Sequence, residues 1–374
     1  MPSKSLRRAL LTALAAGALT ALVALPAQAC TSFRLQSQDG AWIAARSMEF
    51  EMDLKSQVML VPRGHPLTAT RPDLKPGMTW TAKHGFLGIN ALGLDIAADG
   101  MNEAGLSVGA LFLPGFAEYQ SFPADGKHAV SNVELANWLL SQFATVDEVR
   151  AALPKLTVYE LILPQAGPLP VHWTIHDAAG GSLVIEYLGG KLHMHDNPIG
   201  VLTNSPPFDW HQNNLRNNIN LTNINVDGLK LGAVEVQPIG QGTGLLGLPG
   251  DYTPPSRFLK ATALAYSAVP VATAAEGANL AFHILNAVDI PLGAVADKTP
   301  SKTGGAPTFS YDKTEWATVY DLQHRIAYFR TYGDLTIRKV DLNKVDFGGK
   351  AIQHLPMPTT LQAQDVTPGA AKPE

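Results

Sequence analysis

Residues 27–32 read Ala-Gln-Ala-Cys-Thr-Ser, and Cys30 is the single cysteine of the 374-residue chain. The preceding triplet Ala27-Gln28-Ala29 has the small-x-small pattern of a signal-peptidase site. Cleavage after Ala29 would make Cys30 the first residue of the mature protein. One residue would then carry both a thiol nucleophile and a free α-amine that can act as its base. The stretch therefore predicts a terminal cysteine nucleophile.

Two other interpretations of Cys30 stay open at this point. In a lipoprotein the cysteine after the signal is acylated, but that processing favours Leu at position −3 and a small residue at −2. Here these positions hold Ala27 and Gln28, which fit ordinary signal cleavage better. A free structural cysteine behaves as a small buried hydrophobe, and such a residue has no reason to follow a cleavage site directly.

The first 29 residues predict an export signal. Lys4, Arg7 and Arg8 form a basic start, and an uncharged apolar run follows from Ala9 to Leu25. The run is at the short edge of the about 20 residues that span a bilayer, and the cleavage pattern comes directly after it. We expect a periplasmic or secreted protein without membrane attachment after cleavage.

Composition limits the remaining classes. The chain has 28 basic and 32 acidic residues, so its net charge of −4 offers no basic face for nucleic acid. The hydrophobic share of 46% can build a substantial core. We predict one domain over residues 30–354 and a disordered tail over 355–374, which is rich in Pro, Gln and Ala. The histidines are scattered, and their spacing predicts no metal site.

A predicted hairpin brings polar residues back to Cys30. Residues 31–36 read as a strand, Asp39-Gly40 is a strong turn signal, and residues 42–45 read as the returning strand. Arg46 and Glu49 follow, so we expect both to lie beside the Cys30 thiol and amine. The alternative is a surface ion pair at a strand end, which would be only weakly stabilising.

Patterns typical of helix starts lie between the predicted strands in two regions of the chain. Ser131-x-x-Glu134, Thr145-x-x-Glu148 and Thr273-x-x-Glu276 match the capping-box pattern. The resulting order is strands, helices, strands, helices, strands, with hairpin connections. This order favours an α+β fold in which helices cover antiparallel sheets. The Gly- and Pro-dense residues 240–255 predict a long ordered loop or an extended arm.

The chain resembles the choloylglycine hydrolase family of N-terminal-nucleophile amidases, which includes penicillin V acylases and bile salt hydrolases. The matching stretches are Cys30-Thr31-Ser32, Ala45-Arg46-Ser47-Met48-Glu49, Gly100-Met101-Asn102-Glu103, Leu202-Thr203-Asn204-Ser205-Pro206, Gly240-Gln241-Gly242-Thr243-Gly244-Leu245 and Ser256-Arg257-Phe258. The resemblance implies an αββα sandwich of two antiparallel sheets. It also implies a homotetramer, with the Gly/Pro-rich arm helping assembly.

The same resemblance implies roles at the site. Cys30 would be the nucleophile, and Arg46 would stabilise its thiolate, with Arg257 as the second active-site arginine. Asn204 would donate its side-chain amide to the oxyanion, helped by the backbone N–H near Phe112.

Phe112 departs from the pattern that the resemblance leads us to expect, which has asparagine in bile salt hydrolases and tyrosine in penicillin V acylases, but its backbone donor survives the change. Glu49 is the departure among the catalytic side chains. It stands where better-known members have an aspartate that holds the nucleophile's amine. Its longer side chain keeps the charge, so the departure bears on the rate and not on the type of reaction.

The expected reaction is hydrolysis of a linear amide between a hydrophobic acyl group and a small polar amine, with no metal or diffusible cofactor. Penicillin V-like amides are the first expectation, and bile salt amides and N-acyl homoserine lactones are the alternatives. From a different class, a lipid-anchored, non-catalytic binding protein would keep Cys30 but would not need Arg46, Asn204 and Arg257 together. Candidates for the acyl pocket are Phe50, Met52, Leu111, Phe112 and Leu113.

Overall fold

The computed structural model describes residues 29–299 and 306–368, so most of the predicted signal, residues 1–28, lies outside the described part. The strands in chain order are β1 (Cys30–Gln36), β2 (Trp42–Phe50), β3 (Gln57–Val61), β4 (Pro66–Thr70), β5 (Pro76–Thr81), β6 (Phe86–Ala91), β7 (Leu94–Asn102), β8 (Ser107–Phe112), β9 (Ala129–Ser131), β10 (Thr157–Tyr159), β11 (Val171–His176), β12 (Ser182–Leu188), β13 (Lys191–Asp196), β14 (Leu229–Leu231), β15 (Val234–Val236), β16 (Val295–Thr299), β17 (Thr308–Asp321), β18 (Ile326–Thr331), β19 (Arg338–Asp341) and β20 (Gln353–Pro356). The α-helices are α1 (Leu135–Gln142), α2 (Val146–Ala152), α3 (Phe208–Leu215), α4 (Pro254–Ser267) and α5 (Ala274–Asn286).

The first sheet is built on the predicted hairpin at Cys30. Its order is β1-β2-β17-β18-β19, and β16 pairs with β17. In the β1–β2 pair, Cys30 lies opposite Met48 and Ser32 lies opposite Arg46. The turn at Asp39-Gly40 therefore delivers Arg46 close to Cys30, as the sequence predicts.

The second sheet has the order β13-β12-β11-β8-β7-β6-β3-β20, and every pairing in it is antiparallel. The two sheets face each other across a core that takes Met48 from the first sheet and Leu87, Met101 and Leu111 from the second. Face-to-face packing of two sheets places their inner side chains in one shared layer. The site described below lies at this layer.

Helices cover the outer face of each sheet. Helices α4 and α5 pack on β1, β2 and β17, and α1 packs on β7 and β8. Gly277 of α5 lies so close to β2 that an added Cβ would come within 2.7 Å of Ile43 Cδ1. The glycine lets the helix approach the sheet at that point. The layers are therefore helix, sheet, sheet, helix, which confirms the predicted α+β sandwich.

The start of α1 differs from the prediction. Ser131 and Glu134 do not form a capping box, because α1 begins only at Leu135 and the Glu134 side chain does not cap it. The Glu134 carboxylate instead accepts hydrogen bonds from the backbone N–H and the hydroxyl of Thr70 and from the hydroxyl of Ser131. At the other two predicted boxes, the hydroxyl oxygens of Thr145 and Thr273 accept from the backbone N–H of Glu148 and of Glu276.

The C-terminal boundary also differs from the prediction. Strand β20 pairs with β3 and runs to Pro356, past the boundary predicted at 354. Beyond it Met357 is buried, and the Thr331 hydroxyl donates to Pro358 O. Folded structure therefore continues into the predicted tail. Within the described ranges, no α-helix is both long enough and apolar enough to cross a bilayer.

An exposed arm extends from the sandwich between α3 and α4. It takes residues 219–250 and contains the hairpin of β14 and β15. The predicted loop 240–255 forms its returning half and leads into α4, which starts at Pro254. Four apolar side chains of the hairpin are 45–61% exposed: Leu229, Leu231, Val234 and Val236.

Candidate active site

Strand alternation sorts the predicted residues onto two faces of the first sheet. Cys30 and Met48 lie opposite each other in the register and so point to the same side, and Arg46 shares that side two residues before Met48. Thr31 and Glu49 point to the other side, toward the outer helices. The thiol therefore faces the layer between the sheets, with Arg46 beside it and Glu49 behind it.

Arg46 is held rigidly under the thiol. Its side chain is 2% exposed, and its Nη2 lies 3.6 Å from Cys30 Sγ. The guanidinium also donates to the carbonyl oxygens of Ala98 and Ala110 in the second sheet. Burial opposes the charged form, but the Cys30 thiolate and Asp99 outweigh it and raise the pKa of Arg46. A fixed cation next to Sγ stabilises the negative charge that the sulfur carries when it attacks as a nucleophile.

Asp99 supports Arg46 and was not predicted as a functional residue. Its Oδ1 lies 3.5 Å from Arg46 Nη1, and its Oδ2 accepts hydrogen bonds from the hydroxyls of Thr318 (2.6 Å) and Tyr320 (2.7 Å). Only the residues 100–103 after it were singled out in the sequence. The sequence signal is weak because Asp99 meets its partners only where β7 of the second sheet faces β2 and β17 of the first.

The Asn204 side chain bridges Cys30 in the first sheet and Phe112 in the second. Its Oδ1 accepts hydrogen bonds from the Cys30 backbone nitrogen (2.7 Å) and from Arg257 Nη2 (2.7 Å). Its Nδ2 donates to Phe112 O at 2.8 Å. Because an amide nitrogen carries two hydrogens, one remains available for a substrate oxygen. The structure thus adds to the predicted oxyanion role a second contact, in which Asn204 Oδ1 orients the nitrogen of the nucleophile.

Arg257 lies on the helix side of the first sheet. It projects from α4, is fully buried, and donates from Nη1 to Cys30 O and to the Thr31 hydroxyl (2.7 Å). It also donates from Nη2 to Asn204 Oδ1 and from Nε to Tyr252 O, so none of its hydrogen bonds among the described residues goes to the Cys30 sulfur. Arg257 holds the nucleophile's main chain, whereas Arg46 holds its sulfur.

Glu49 is buried behind Cys30. Its Oε1 accepts from the Thr314 hydroxyl at 3.1 Å, and its backbone N–H donates to Ala29 O at 2.9 Å. Oε2 has no hydrogen-bond partner among the described residues. Burial raises the pKa of Glu49 from an ordinary value of 4.5 to about 7, although nearby Arg257 opposes the shift. In this chain, which still carries Ala29, the Cys30 nitrogen binds Asn204 and the Glu49 carboxylate keeps a free acceptor.

Phe112 offers its backbone to the site. Leu113 N donates to Pro170 O at 2.8 Å. Leu113 and Pro170, the residue just before β11, are therefore a hydrogen-bonded pair. The alternation of antiparallel pairing then turns the peptide groups of Phe112 to the opposite side, where its carbonyl accepts from Asn204. The N–H of Phe112 points to that same side, as an oxyanion donor must.

An apolar cavity opens beside the Cys30 thiol. It encloses about 640 Å³ of space, its solvent-open mouth included. Its walls come from β2 and β6–β8, with Phe50, Leu92 and Ala98 among them, and also from Val133 after β9 and Leu169 before β11. A hydrophobic acyl group placed there would bring its carbonyl carbon to Sγ.

The predicted acyl-pocket residues divide into two groups. Phe50 and Phe112 line the cavity, but Met52, Leu111 and Leu113 do not. Leu111 and Leu113 neighbour Phe112 in the chain, so alternation turns their side chains away from it into buried positions. Met52 follows β2 and is 43% exposed. Among the described residues, no three His, Cys, Asp or Glu side chains cluster closely enough to hold a metal ion.

Comparison with known proteins identifies the family. Residues 30–355 match the family model described as linear amide C–N hydrolases, choloylglycine hydrolase family. This chain belongs to the choloylglycine hydrolase family. It is an enzyme of the class that hydrolyses linear amide C–N bonds, as predicted.

Relatives within the family include hydrolases of two kinds. The bile salt hydrolase/transferase of Clostridium perfringens is 32% identical over 342 residues, which cover 90% of this chain and 99% of that protein. A crystal structure of a conjugated bile acid hydrolase variant from Clostridium perfringens matches with a TM-score of 0.79 and 32% identity, over 90% of this chain and 100% of that one. The penicillin V acylase of Pectobacterium atrosepticum is 27% identical over 332 residues, which cover 83% of this chain and 80% of that protein.

These identities favour the bile salt alternative over the first substrate expectation. Penicillin V-like amides are the first expectation from the sequence, but the bile salt hydrolase shares more identity over a larger part of this chain than the penicillin V acylase does. Short motifs around the nucleophile serve the reaction common to both kinds of enzyme, so they carry little information about the acyl group.

Proposed function

We propose that the protein hydrolyses amides between a bulky hydrophobic acyl group and a small polar amine, with conjugated bile salts as the first substrate class. The apolar cavity that ends at the Cys30 thiol carries this proposal. The relatives named as bile salt hydrolases support it. Penicillin V and N-acyl homoserine lactones are the other two candidate substrate classes.

The first half of the reaction forms an acyl-enzyme. In the processed chain the neutral α-amine of Cys30 takes the proton of its own thiol, and the thiolate beside Arg46 attacks the substrate carbonyl carbon. The carbonyl π electrons move to oxygen, and the second N–H of Asn204 and the N–H of Phe112 stabilise that oxyanion. The C–N bond then breaks, and the α-ammonium gives its proton to the leaving amine.

The second half regenerates the enzyme. Water attacks the thioester carbonyl while the α-amine accepts one of its protons. The new tetrahedral oxyanion uses the same two donors, and its collapse releases a carboxylic acid and the Cys30 thiolate. The thiolate recovers its proton from the α-ammonium, which returns both groups of Cys30 to their starting state.

A substrate panel tests the proposed acyl preference. Purified protein that begins at Cys30 is assayed for released amine with glycine and taurine conjugates of cholate, with penicillin V and with an N-acyl homoserine lactone. We expect the highest kcat/KM for a cholate conjugate, by at least about tenfold, which corresponds to about 1.4 kcal/mol of transition-state binding. A Cys30→Ala variant controls for contaminating hydrolases. A higher kcat/KM for penicillin V or the lactone would reassign the substrate and leave the reaction unchanged.

Replacing Glu49 tests whether its free carboxylate oxygen receives the processed amine. Glu49→Gln removes a negative charge near that amine, which lowers the amine's pKa. Because the reaction needs the neutral amine, the acidic limb of the kcat/KM profile should move to lower pH while the maximum falls. Glu49→Asp keeps the charge, so its limb should stay and its turnover should change only modestly. If Glu49→Gln kept full activity and an unchanged acidic limb of its kcat/KM profile, Glu49 would have no role in holding the Cys30 amine.

We further propose that four copies assemble through the arm of residues 219–250. Its hairpin presents four apolar side chains to solvent in the single chain, and a contiguous apolar surface of this kind marks an interaction site. Light scattering should give a tetramer for the wild type and a smaller species for the double variant Leu229→Lys, Val236→Lys. A monomeric wild type, or a variant that stays tetrameric, would contradict the role of the arm.

Export is the remaining proposal about the chain. The basic start, apolar run and Ala-x-Ala pattern of residues 1–29 support delivery to the periplasm or the medium. The burial of Cys30 supports ordinary cleavage over lipidation. A lipid on Sγ would have to displace Arg46 and Met48, which contact that sulfur.

A further inference from the structure

The segment that carries Asn204 is fixed by three successive backbone carbonyls. Leu202 O accepts from the N–H of Ser32 at 2.8 Å, which ties the segment to β1. Thr203 O is contacted by His172 Nε2 at 2.8 Å, and Asn204 O by His211 Nε2 at 2.9 Å. Two buried histidines thus determine the orientation of the peptide groups on either side of the Asn204 Cα.

Glu186 connects these two histidines. It is fully buried on β12, and its Oε1 lies 2.9 Å from His172 Nδ1. The same oxygen accepts from the N–H of Phe208 at 3.0 Å. Phe208 is the first residue of α3, the helix that carries His211. The Glu186 carboxylate therefore holds His172 directly, and it holds His211 indirectly through the first residue of α3.

The contacts of His172 define the role of Glu186. A carbonyl oxygen only accepts, so His172 Nε2 carries the proton shared with Thr203 O. Burial alone would raise the pKa of Glu186, but the contact with His172 and the nearby His195 ring, whose Nε2 lies 3.6 Å from Oε2, outweigh it and lower that pKa to about 2. Glu186 is therefore a buried carboxylate that holds His172 by the ring nitrogen opposite Thr203 O.

We propose that Glu186 and His172 are positioning residues for Asn204, which set the side-chain amide at the angle needed to orient the Cys30 amine and to receive the oxyanion. This inference rests on the catalytic role proposed for Asn204. Neither residue lines the substrate cavity. His172 acts through the backbone carbonyl of Thr203, and Glu186 acts through His172 and through the N–H of Phe208 at the start of α3. A buried carboxylate is costly, and here its contacts support the geometry of a reacting group.

Substitutions at the pair should lower kcat and leave KM nearly unchanged. The oxyanion exists only in the transition state and the intermediates, so a displaced donor costs turnover and not substrate binding. Glu186→Gln keeps an acceptor for Phe208 N–H but removes the charge. The uncharged amide holds His172 Nδ1 less strongly than a carboxylate does. We expect kcat to fall about 10- to 100-fold, with KM within about threefold.

Two variants of His172 separate positioning from packing. Glutamine reaches about as far as imidazole Nε2 and keeps an N–H donor for Thr203 O, whereas asparagine is too short. We therefore expect His172→Gln to recover a large part of the kcat that His172→Asn loses. His176 supplies the matched control, because it is a buried histidine on the same strand and face whose ring contacts are the hydroxyls of Thr174 and Ser182. His176→Asn should reduce the melting temperature about as much as His172→Asn and leave kcat within about threefold.

The experiment measures kcat, KM and melting temperature for these variants together with Asn204→Ala. Full activity in Asn204→Ala would remove the proposed role of Asn204 itself. A large loss in Asn204→Ala combined with unchanged kcat in Glu186→Gln would overturn the positioning proposal alone. Equal losses of kcat in His172→Asn and His176→Asn would also overturn it, since general loosening of β11 would then be the cause. If the His172 variants do not fold, Glu186→Gln decides: a fall in kcat with KM retained supports the proposal, and an unchanged kcat overturns it.

Discussion

Replacing Cys30 by serine is expected to lower kcat/KM by at least about 1000-fold with the fold intact. A hydroxyl gives up its proton far less readily than a thiol, and the α-amine is too weak a base to compensate. Arg46, 3.6 Å from Sγ, favours a sulfur anion but cannot make an alkoxide at neutral pH. Substrate binding should change little, because serine leaves the walls of the apolar cavity in place. The measurement is kcat/KM with the preferred substrate of the panel.

Ser32→Ala is the matched control for this substitution. Ser32 lies two residues further along β1, is 2% exposed and shares the face of Cys30. Its backbone pairs with Leu202, which the substitution leaves unchanged. We expect this variant to keep activity within about threefold. A Cys30→Ser enzyme that retained a tenth or more of wild-type activity would place the nucleophile elsewhere in the chain.

The sequence was most informative where the site is local. The turn at Asp39-Gly40 and the alternation of two short strands were enough to predict that Arg46 and Glu49 return to Cys30. Alternation also separates them onto opposite faces of β2, and the sequence argument did not draw that consequence. It therefore placed Arg46 and Glu49 together beside Cys30, and it gave no indication that Arg257 reaches the main chain of Cys30 from the helix side.

The parts of the site that could not be predicted depend on distant segments. Asp99 meets Thr318 and Tyr320 only after β7 and β17 have been placed in facing sheets. Glu186 and His172 come together by the pairing of β11 with β12, and nothing in either strand marks them as more than buried polar residues. The Asn204 stretch could be recognised by resemblance, but which of its atoms face Cys30 depends on this three-dimensional support.

Retaining a single residue before Cys30 is the second change with a large expected effect. A protein that begins at Ala29 should fold and lose at least about 100-fold in kcat/KM. The peptide nitrogen of Cys30 has no basic lone pair, so the thiol would lose its proton acceptor. Folding should persist because Ala29 is buried in the structure and its carbonyl accepts from Glu49 N–H at 2.9 Å. Both forms can be released from a cleavable N-terminal tag, and intact mass verifies each terminus and reveals any lipid.

The pH dependence of stability gives a second comparison between the two forms. With Ala29 in place, burial raises the pKa of Glu49 to about 7, above its unfolded value. The stability that Glu49 contributes is then fully present below about pH 4.5 and is lost as the pH rises through about 7. In the form that begins at Cys30, an ammonium group near the Glu49 carboxylate would lower the pKa of Glu49. Less stability would then be lost as the pH rises. The melting temperature of the Ala29 form should therefore fall further between about pH 5 and pH 7, and Glu49→Gln should remove the difference. Equal pH slopes together with equal activities would mean that the α-amine of Cys30 has no part in the site.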